Sequence, residues 1–276
     1  MNDAQHDPAV LADGSLPITV AIPCFNCTRT IERALASVAA QTQKPAEVVI
    51  VDDASTDGSW ETLGALQRRC SGLPIRLQKM PVNRGPASTR NVAWDLATQP
   101  YIAFLDADDS WHPRKLEIQH SFMRSRPDAM LTGHRLLYPG EPPPAGPPGP
   151  ITARRVGPHH LLFRNCLQPP SLMIAAHAPY RFPSGRYHDE DSLMVLRMAS
   201  DRQLLYALDA PLGFTHKPRF GEGGLRGDLG AMHDGQLDTL RALYRERRLS
   251  LPTTVLAGLW FRAKHLRRRA LHGLRG

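Results

Sequence analysis

The chain has 276 residues, 42% hydrophobic and 22% charged, a balance that supports one substantial core and excludes a disordered or fibrous chain. Its formal charge of +8 is lopsided: between positions 241 and 276 stand ten Lys or Arg and one acid, Glu246, so an anionic partner that needs a basic surface belongs at that end. Residues 1–16 are a polar leader without the basic-then-apolar layout of a secretory signal, and no apolar run approaches the roughly 18 residues of a spanning helix, so the expected location is cytoplasmic.

The β-branched run 18–22, stopped by Pro23, predicts a buried strand. Cys24 and Cys27 follow as a C-x-x-C. With no second such pair for a zinc site, and with Cys70 and Cys166 remote, they read as two unpaired thiols in a reducing compartment. Residues 30–40 predict a helix with Ile31, Leu35 and Val38 on one face. Residues 47–51 predict a second strand, a helix runs on to about Arg69, and 75–78 predict a third strand. Residues 86–97 are helical and 101–105 a fourth strand. This strand–helix alternation implies an α/β fold on a mostly parallel sheet covered on both faces.

Beyond that point the pattern is less regular. Strands are predicted at 131–137 and 171–175 and a helix at 191–199, with an extended Pro/Gly-rich loop at 139–150. Gly221, Gly223, Gly224 and Gly227 make the stretch after His216 a candidate mobile loop over a ligand. Residues 17–230 form the expected domain, and 231–276 a helical basic tail. In that tail Leu256, Leu259, Trp260, Ala263, Leu266, Ala270, Leu271 and Leu274 recur at helical spacing among arginines. Such a helix either lies on an anionic membrane surface or docks its apolar stripe on the domain. A basic tail is also a footprint for nucleic acid, but no nucleic-acid module accompanies it.

Ligands of open parallel sheets bind beyond the carboxyl ends of the strands. Two acidic clusters fall there: Asp52 and Asp53 after the second strand, and Asp106, Asp108 and Asp109 after the fourth. Crowded carboxylates repel one another unless a cation sits among them, and an oxygen-only donor set suits Mn²⁺ or Mg²⁺. Such ions keep an incomplete protein shell and share the phosphates of a substrate. Helix capping and turn formation are the bland roles for the same residues, and Asp57, Asp109 and Ser110 fit those roles.

Four segments, TVAIPCFN from Thr19, EVVIVDDASTDGS from Glu47, NRGPASTRNVAWDLA from Asn83 and YIAFLDADDSWHPRKLEIQ from Tyr101, carry a resemblance. In order and spacing they resemble the family 2 glycosyltransferases, which have the GT-A fold and use nucleotide-sugar donors. The resemblance implies that residues 17–120 bind the donor and 121–230 the acceptor. Pro23, Phe25, Asn26, Asn83 and Arg90 would then hold the nucleotide, and Asp53 would meet the base. Asp106 would touch the ribose or position the metal, and Asp108 would ligate Mn²⁺ or Mg²⁺. HDEDSLMVLRMA, from His188, is similar to the family's Glu-Asp motif, making Asp191 the catalytic base with Glu190 beside it. His216 is a further candidate for the metal or diphosphate. A UDP-sugar donor, and an acceptor hydroxyl on a polysaccharide or lipid-linked glycan, follow as expectations. A sugar-phosphate nucleotidyltransferase fits less well, because PCFNCTRT lacks the glycines of a phosphate loop; a non-catalytic binding subunit is the other alternative.

Overall fold

The computed structural model describes residues 9–142, 151–217 and 228–273. β1 (Leu16–Cys24), α1 (Ile31–Ala39), β2 (Pro45–Asp52), α2 (Ser59–Arg69), β3 (Ile75–Lys79), α3 (Gly85–Leu96) and β4 (Tyr101–Phe104) alternate as the sequence predicts. The strands lie parallel in the order β3-β2-β1-β4. Alternation along β1 divides its side chains between two cores. Ile18, Val20 and Ile22 join Ile31, Leu35 and Val38 of α1 on one face, while Ala21 joins Val49, Trp94 and Phe104 on the other.

The second half extends the same sheet. After β5 (Asp109–Trp111) and α4 (Lys115–Ser125) come β6 (Ala129–Leu137), β7 (Ala153–Arg155), α5 (Pro158–Phe163), β8 (Met173–Ala175), α6 (Glu190–Ser200) and β9 (Leu204–Thr215). The order continues β4-β8-β6-β9-β5, with β7 also on β9; β6 and β9 are parallel and the other pairs of this half antiparallel. The parallel character is therefore concentrated in the first half. Nothing in the sequence pattern announces the twelve-residue β9, because Asp209, Pro211 and Gly213 interrupt it. Pro211 is accommodated at a register shift against Arg135. At Gly213 a Cβ would meet the Leu136 side-chain tip at 2.6 Å and the His134 ring at 2.9 Å, so a larger residue there would have to displace both side chains. Asp109 closes the 106–109 turn, its N–H donating to the Asp106 carbonyl, and with Ser110 it enters β5, which the edge of β9 pairs.

Trp94, Phe104 and Phe182 pack with centroids 5.2 to 6.3 Å apart, joining α3, β4 and the loop before α6. Each fully buried aromatic contributes on the order of 1.5–3 kcal/mol of apolar burial. The C-terminal segment folds as α7 (Leu229–Arg245) and α8 (Leu251–Gly273). Leu240 and Leu243 of α7 and Ala257 and Phe261 of α8 enter the same core as Trp94 and Leu193. The helix docks through Ala257 and Phe261 and through Trp260 of the predicted stripe, whose ring lies edge-on to Phe163 at 6.4 Å, while Leu256, Leu259 and Leu266 of that stripe stay 57–65% exposed. The glycine-rich stretch 221–227 and most of the Pro-rich loop lie outside the described residues.

The expected free thiols are corrected too. The turn after β1 closes onto α1, with Thr30 and Ile31 N–H donating to the Cys27 carbonyl, and it brings the Cα atoms of Cys24 and Cys27 to 5.9 Å. That separation suits a disulfide, and the two are bridged.

Candidate active site

A cavity of about 1330 Å³ opens at the carboxyl ends of β1, β2 and β4. Pro23, Phe25, Asn26, Asp53, Asn83, Arg90, Asp106, Asp108, Glu190 and Asp191 all line it. Motifs read separately from the sequence are thus brought to one place.

Asp53 ends the β2 side of the cavity. Its Oδ1 accepts the Arg84 N–H and its Oδ2 the Gly85 N–H, both at 2.8 Å, which satisfies donors at the start of α3. Each oxygen keeps a second lone pair for a ligand. Gly85 has φ +80°, and a Cβ there would stand 2.8 Å from the Tyr187 ring, so glycine lets Tyr187 lie over this turn. Asn26, with φ +49°, donates its N–H to Ser55 Oγ at 2.9 Å and accepts the Thr56 N–H at 3.0 Å. Its side chain therefore fastens the β1–α1 turn to the β2–α2 turn. Phe25, half exposed on the cavity rim, leaves an apolar ring face available.

Arg90 sits at the centre, 5% exposed. Its Nη2 donates to Asp106 Oδ1 at 2.7 Å and its Nη1 to Glu190 Oε1 at 2.9 Å, two acids from opposite halves of the chain. Burial opposes its charge, but Asp106 and Glu190 overcome that and raise the guanidinium above its ordinary value. Arg90 is consequently a strut between donor-side and α6-side acids.

The start of α6 collects three acids. Asp189 takes a left-handed conformation, φ +61°, a costly choice for a residue other than glycine. Burial first, then the charge of Asp191, push its carboxyl up to about 6. Burial, again with Asp191, pushes Glu190 up against the pull of Arg90. The segment is held from behind by α7: Arg186 Nη2 donates to the Gly235 carbonyl at 3.0 Å and Thr239 Oγ1 at 3.1 Å. On the other side Asn165 Nδ2 donates to Ser192 Oγ at 2.9 Å.

At Asp108 the carboxylate Oδ2 meets Lys217 Nζ at 2.7 Å, and the backbone carbonyl accepts from Arg33 Nη2 at 2.7 Å. β5–β9 pairing carries His216 and Lys217 to this corner. His216 does not line the cavity itself; its Nε2 lies 2.8 Å from Ser110 Oγ. Burial first, then Arg33, lower its pKa, while Asp108 works the other way. Among the described residues no three His, Cys, Asp or Glu side chains converge into a metal cage. The donor set nevertheless fits an oxygen-preferring cation with an open shell, since Lys217 shows where a positive charge rests on Asp108.

The model of glycosyl transferase family 2 matches residues 19–184, more than half of the chain. The chain belongs to glycosyl transferase family 2. An Escherichia coli relative, the UDP-Glc:alpha-D-GlcNAc-diphosphoundecaprenol beta-1,3-glucosyltransferase WfaP, is 35% identical over 108 residues, 39% of this chain and 41% of that protein. The matched stretch spans 31% to 47% of the first three curated relatives. Among solved structures, Staphylococcus aureus TarS 1–349 with UDP-GlcNAc superposes with a TM-score of 0.69 at 20% identity, over 90% of this chain and 72% of that one. The mannosyltransferase PcManGT from Pyrobaculum calidifontis, in complex with GDP-Man and Mn²⁺, gives 0.59 at 18% identity, over 87% and 78%. The GT-A fold of family 2 is thereby shown.

Sequence reasoning missed Lys217, Asp189 and Tyr187. Lys217 had no motif around it, Asp189 stands before the Glu-Asp pair read at Glu190 and Asp191, and the place of Tyr187 over Gly85 exists only in the fold.

Side-chain carboxyl NMR tests the electrostatics of this family 2 site. Asp189 should titrate with a midpoint near 6, and the Glu190 step should also lie above the ordinary carboxylate range. Midpoints at the ordinary carboxylate value of about 4 would refute a desolvated acid cluster.

Proposed function

We propose that this protein is an inverting glycosyltransferase. It takes a sugar from a nucleoside diphosphate, a UDP-sugar first, and places it on a hydroxyl of a polysaccharide or lipid-linked glycan intermediate. One observation carries the reading: a single cavity holds the β-strand-end acids Asp53, Asp106 and Asp108 and, across Arg90, the acids at the head of α6. The bound ligands named for TarS and PcManGT, and the acceptor named for WfaP, support it. The family match favours it over a nucleotidyltransferase.

Phe25 and Pro23 offer an apolar shelf to the base, with the free lone pairs of Asp53 beside it. Asp108, with Asp106 and His216 close by, would hold Mn²⁺ or Mg²⁺, which when bound neutralises charge on the departing diphosphate. Asp191, in the first turn of α6, takes the proton from the acceptor hydroxyl as that oxygen attacks the anomeric carbon. Arg90 holds Glu190, and with it the start of α6, in register with Asp106. Base and leaving group on opposite sides of the sugar allow a single displacement with inversion.

Asp191→Asn should lower kcat by roughly 10²–10⁴-fold while donor affinity is kept, read by UDP release and by titration of UDP. Full transfer by the variant, or retained anomeric configuration in the product by NMR, would defeat the mechanism.

The outer face of α8 supplies the place of work. Leu256, Leu259 and Leu266 form an exposed stripe, with Arg262 and Arg269 on one flank and Arg267 on the other. Among the described residues no helix is long and apolar enough to cross a membrane. An apolar stripe between guanidinium groups complements the surface of an anionic bilayer, and this would set the cavity near lipid-linked acceptors. The protein should co-sediment with phosphatidylglycerol vesicles but not with phosphatidylcholine vesicles, and Leu256→Asp with Leu259→Asp should abolish this. Equal binding by that variant, or preference for DNA at matched salt, would remove the membrane role.

A further inference from the structure

The cavity is larger than the roughly 300–1,000 Å³ that commonly holds one small ligand, and its two ends differ in charge. The donor end is acidic. The far wall is built by Arg154 of β7, Arg164 just after α5, and Lys264 and Arg268 of α8, with Asp209 of β9 as the acid among them. These cations come from two separate parts of the fold that face one space. Lys264 and Arg268 share the side of α8 that carries the docked Ala257 and Phe261, so they point away from the exposed stripe.

Two histidines lie close to these cations. Burial first, then the charges of Arg154 and Arg164, hold His160 below its ordinary pKa. Burial, then His265, with Arg262 and Arg268 adding and Asp234 opposing, does the same to His233 of α7. A concave wall of positive potential raises the local concentration of anions. It also stands beside the proposed base: Arg164 precedes Asn165, whose side chain donates to Ser192, the neighbour of Asp191. A ligand seated at Asp191 and extending past Asn165 would reach this wall.

We infer that Arg154, Arg164, Lys264 and Arg268 form a subsite for a phosphate or diphosphate ester carried by the acceptor. The inference rests on the transferase reading and deepens it, because it gives the acceptor its chemical class. Guanidinium forks bind phosphate oxygens in pairs, and two arginines with further cations opposite match a dianion better than a single carboxylate. The donor diphosphate is bound at the acidic end, with a cation; the acceptor phosphate is bound here by side chains alone.

Titration calorimetry with inorganic pyrophosphate in EDTA isolates this subsite from cation-dependent diphosphate binding at the donor end. The full chain should bind pyrophosphate in a salt-sensitive way, and Arg164→Gln with Arg268→Gln should weaken that by roughly tenfold or more. Arg154→Gln gives an independent second reading, with thermal melting showing that each variant folds. UDP affinity with Mn²⁺ is measured alongside. Absence of pyrophosphate binding, undiminished binding by both variants, or an equal loss of UDP affinity would overturn the subsite. If no UDP-sugar binds while pyrophosphate behaves as described, the transferase reading fails and the anion site stands. Decyl diphosphate competing more strongly than pyrophosphate identifies a lipid-borne group, and equal competition a soluble one; either result supports the subsite.

Discussion

A buried guanidinium held between two carboxylates is the contact on which the site depends. Arg90 joins Asp106 and Glu190, residues 16 and 100 positions away along the chain, and all three lose most of their water. Removing one member of such a buried set commonly costs about 3–5 kcal/mol, because the remaining charge is left uncompensated. Asp106 terminates the parallel half of the sheet and Glu190 opens α6, so this contact sets the distance between the donor acids and Asp191. The aromatic packing of Phe182 against Trp94 and Phe104, with Arg90 5.5 Å above the Phe182 ring, shields it from below.

Around that strut the chain accepts unfavourable local conformations. Asn26, Ala54 and Asp189 all adopt positive φ without being glycine, and each lies in a turn at the cavity or directly behind it. Such residues persist only where the surroundings determine them. For Asn26 the determining bonds are those to Ser55 and Thr56, and for the Asp189 segment the support comes from Arg186 and Thr239 against α7. The C-terminal helices therefore belong to the architecture of the site, with α7 behind the acids and α8 forming part of the cavity wall.

The first half was legible in the sequence because its signals are local. Short β-branched runs, stopped by Pro23 or by acids, alternate with amphipathic helices, and the motifs fall at strand ends where an open sheet places ligands. The second half was written in contacts instead. β9 is broken in sequence by Pro211 and Gly213, and only its pairing with β6 reveals it as one strand. The stripe of α8 was visible but its direction was not: helical spacing finds an apolar face without saying whether Leu259 or Phe261 meets the core. Cys24 and Cys27 failed for a related reason, since spacing gives their separation along the chain and only the turn geometry brings them together. Of the site residues, Asp53, Asp106, Asp108, Glu190 and Asp191 stood out as acids in motifs. Arg154 and Arg164 carried no motif at all, and become meaningful only opposite Lys264 and Arg268.

The most direct test of the central contact is a set of denaturant-unfolding mutant cycles on Arg90→Met, Asp106→Asn and Glu190→Gln. The strut requires each pair with Arg90 to show a coupling of about 1 kcal/mol or more, with the triple variant recovering stability lost by Arg90→Met alone. Effects that add within about 0.5 kcal/mol would show that Arg90 does not link the two halves.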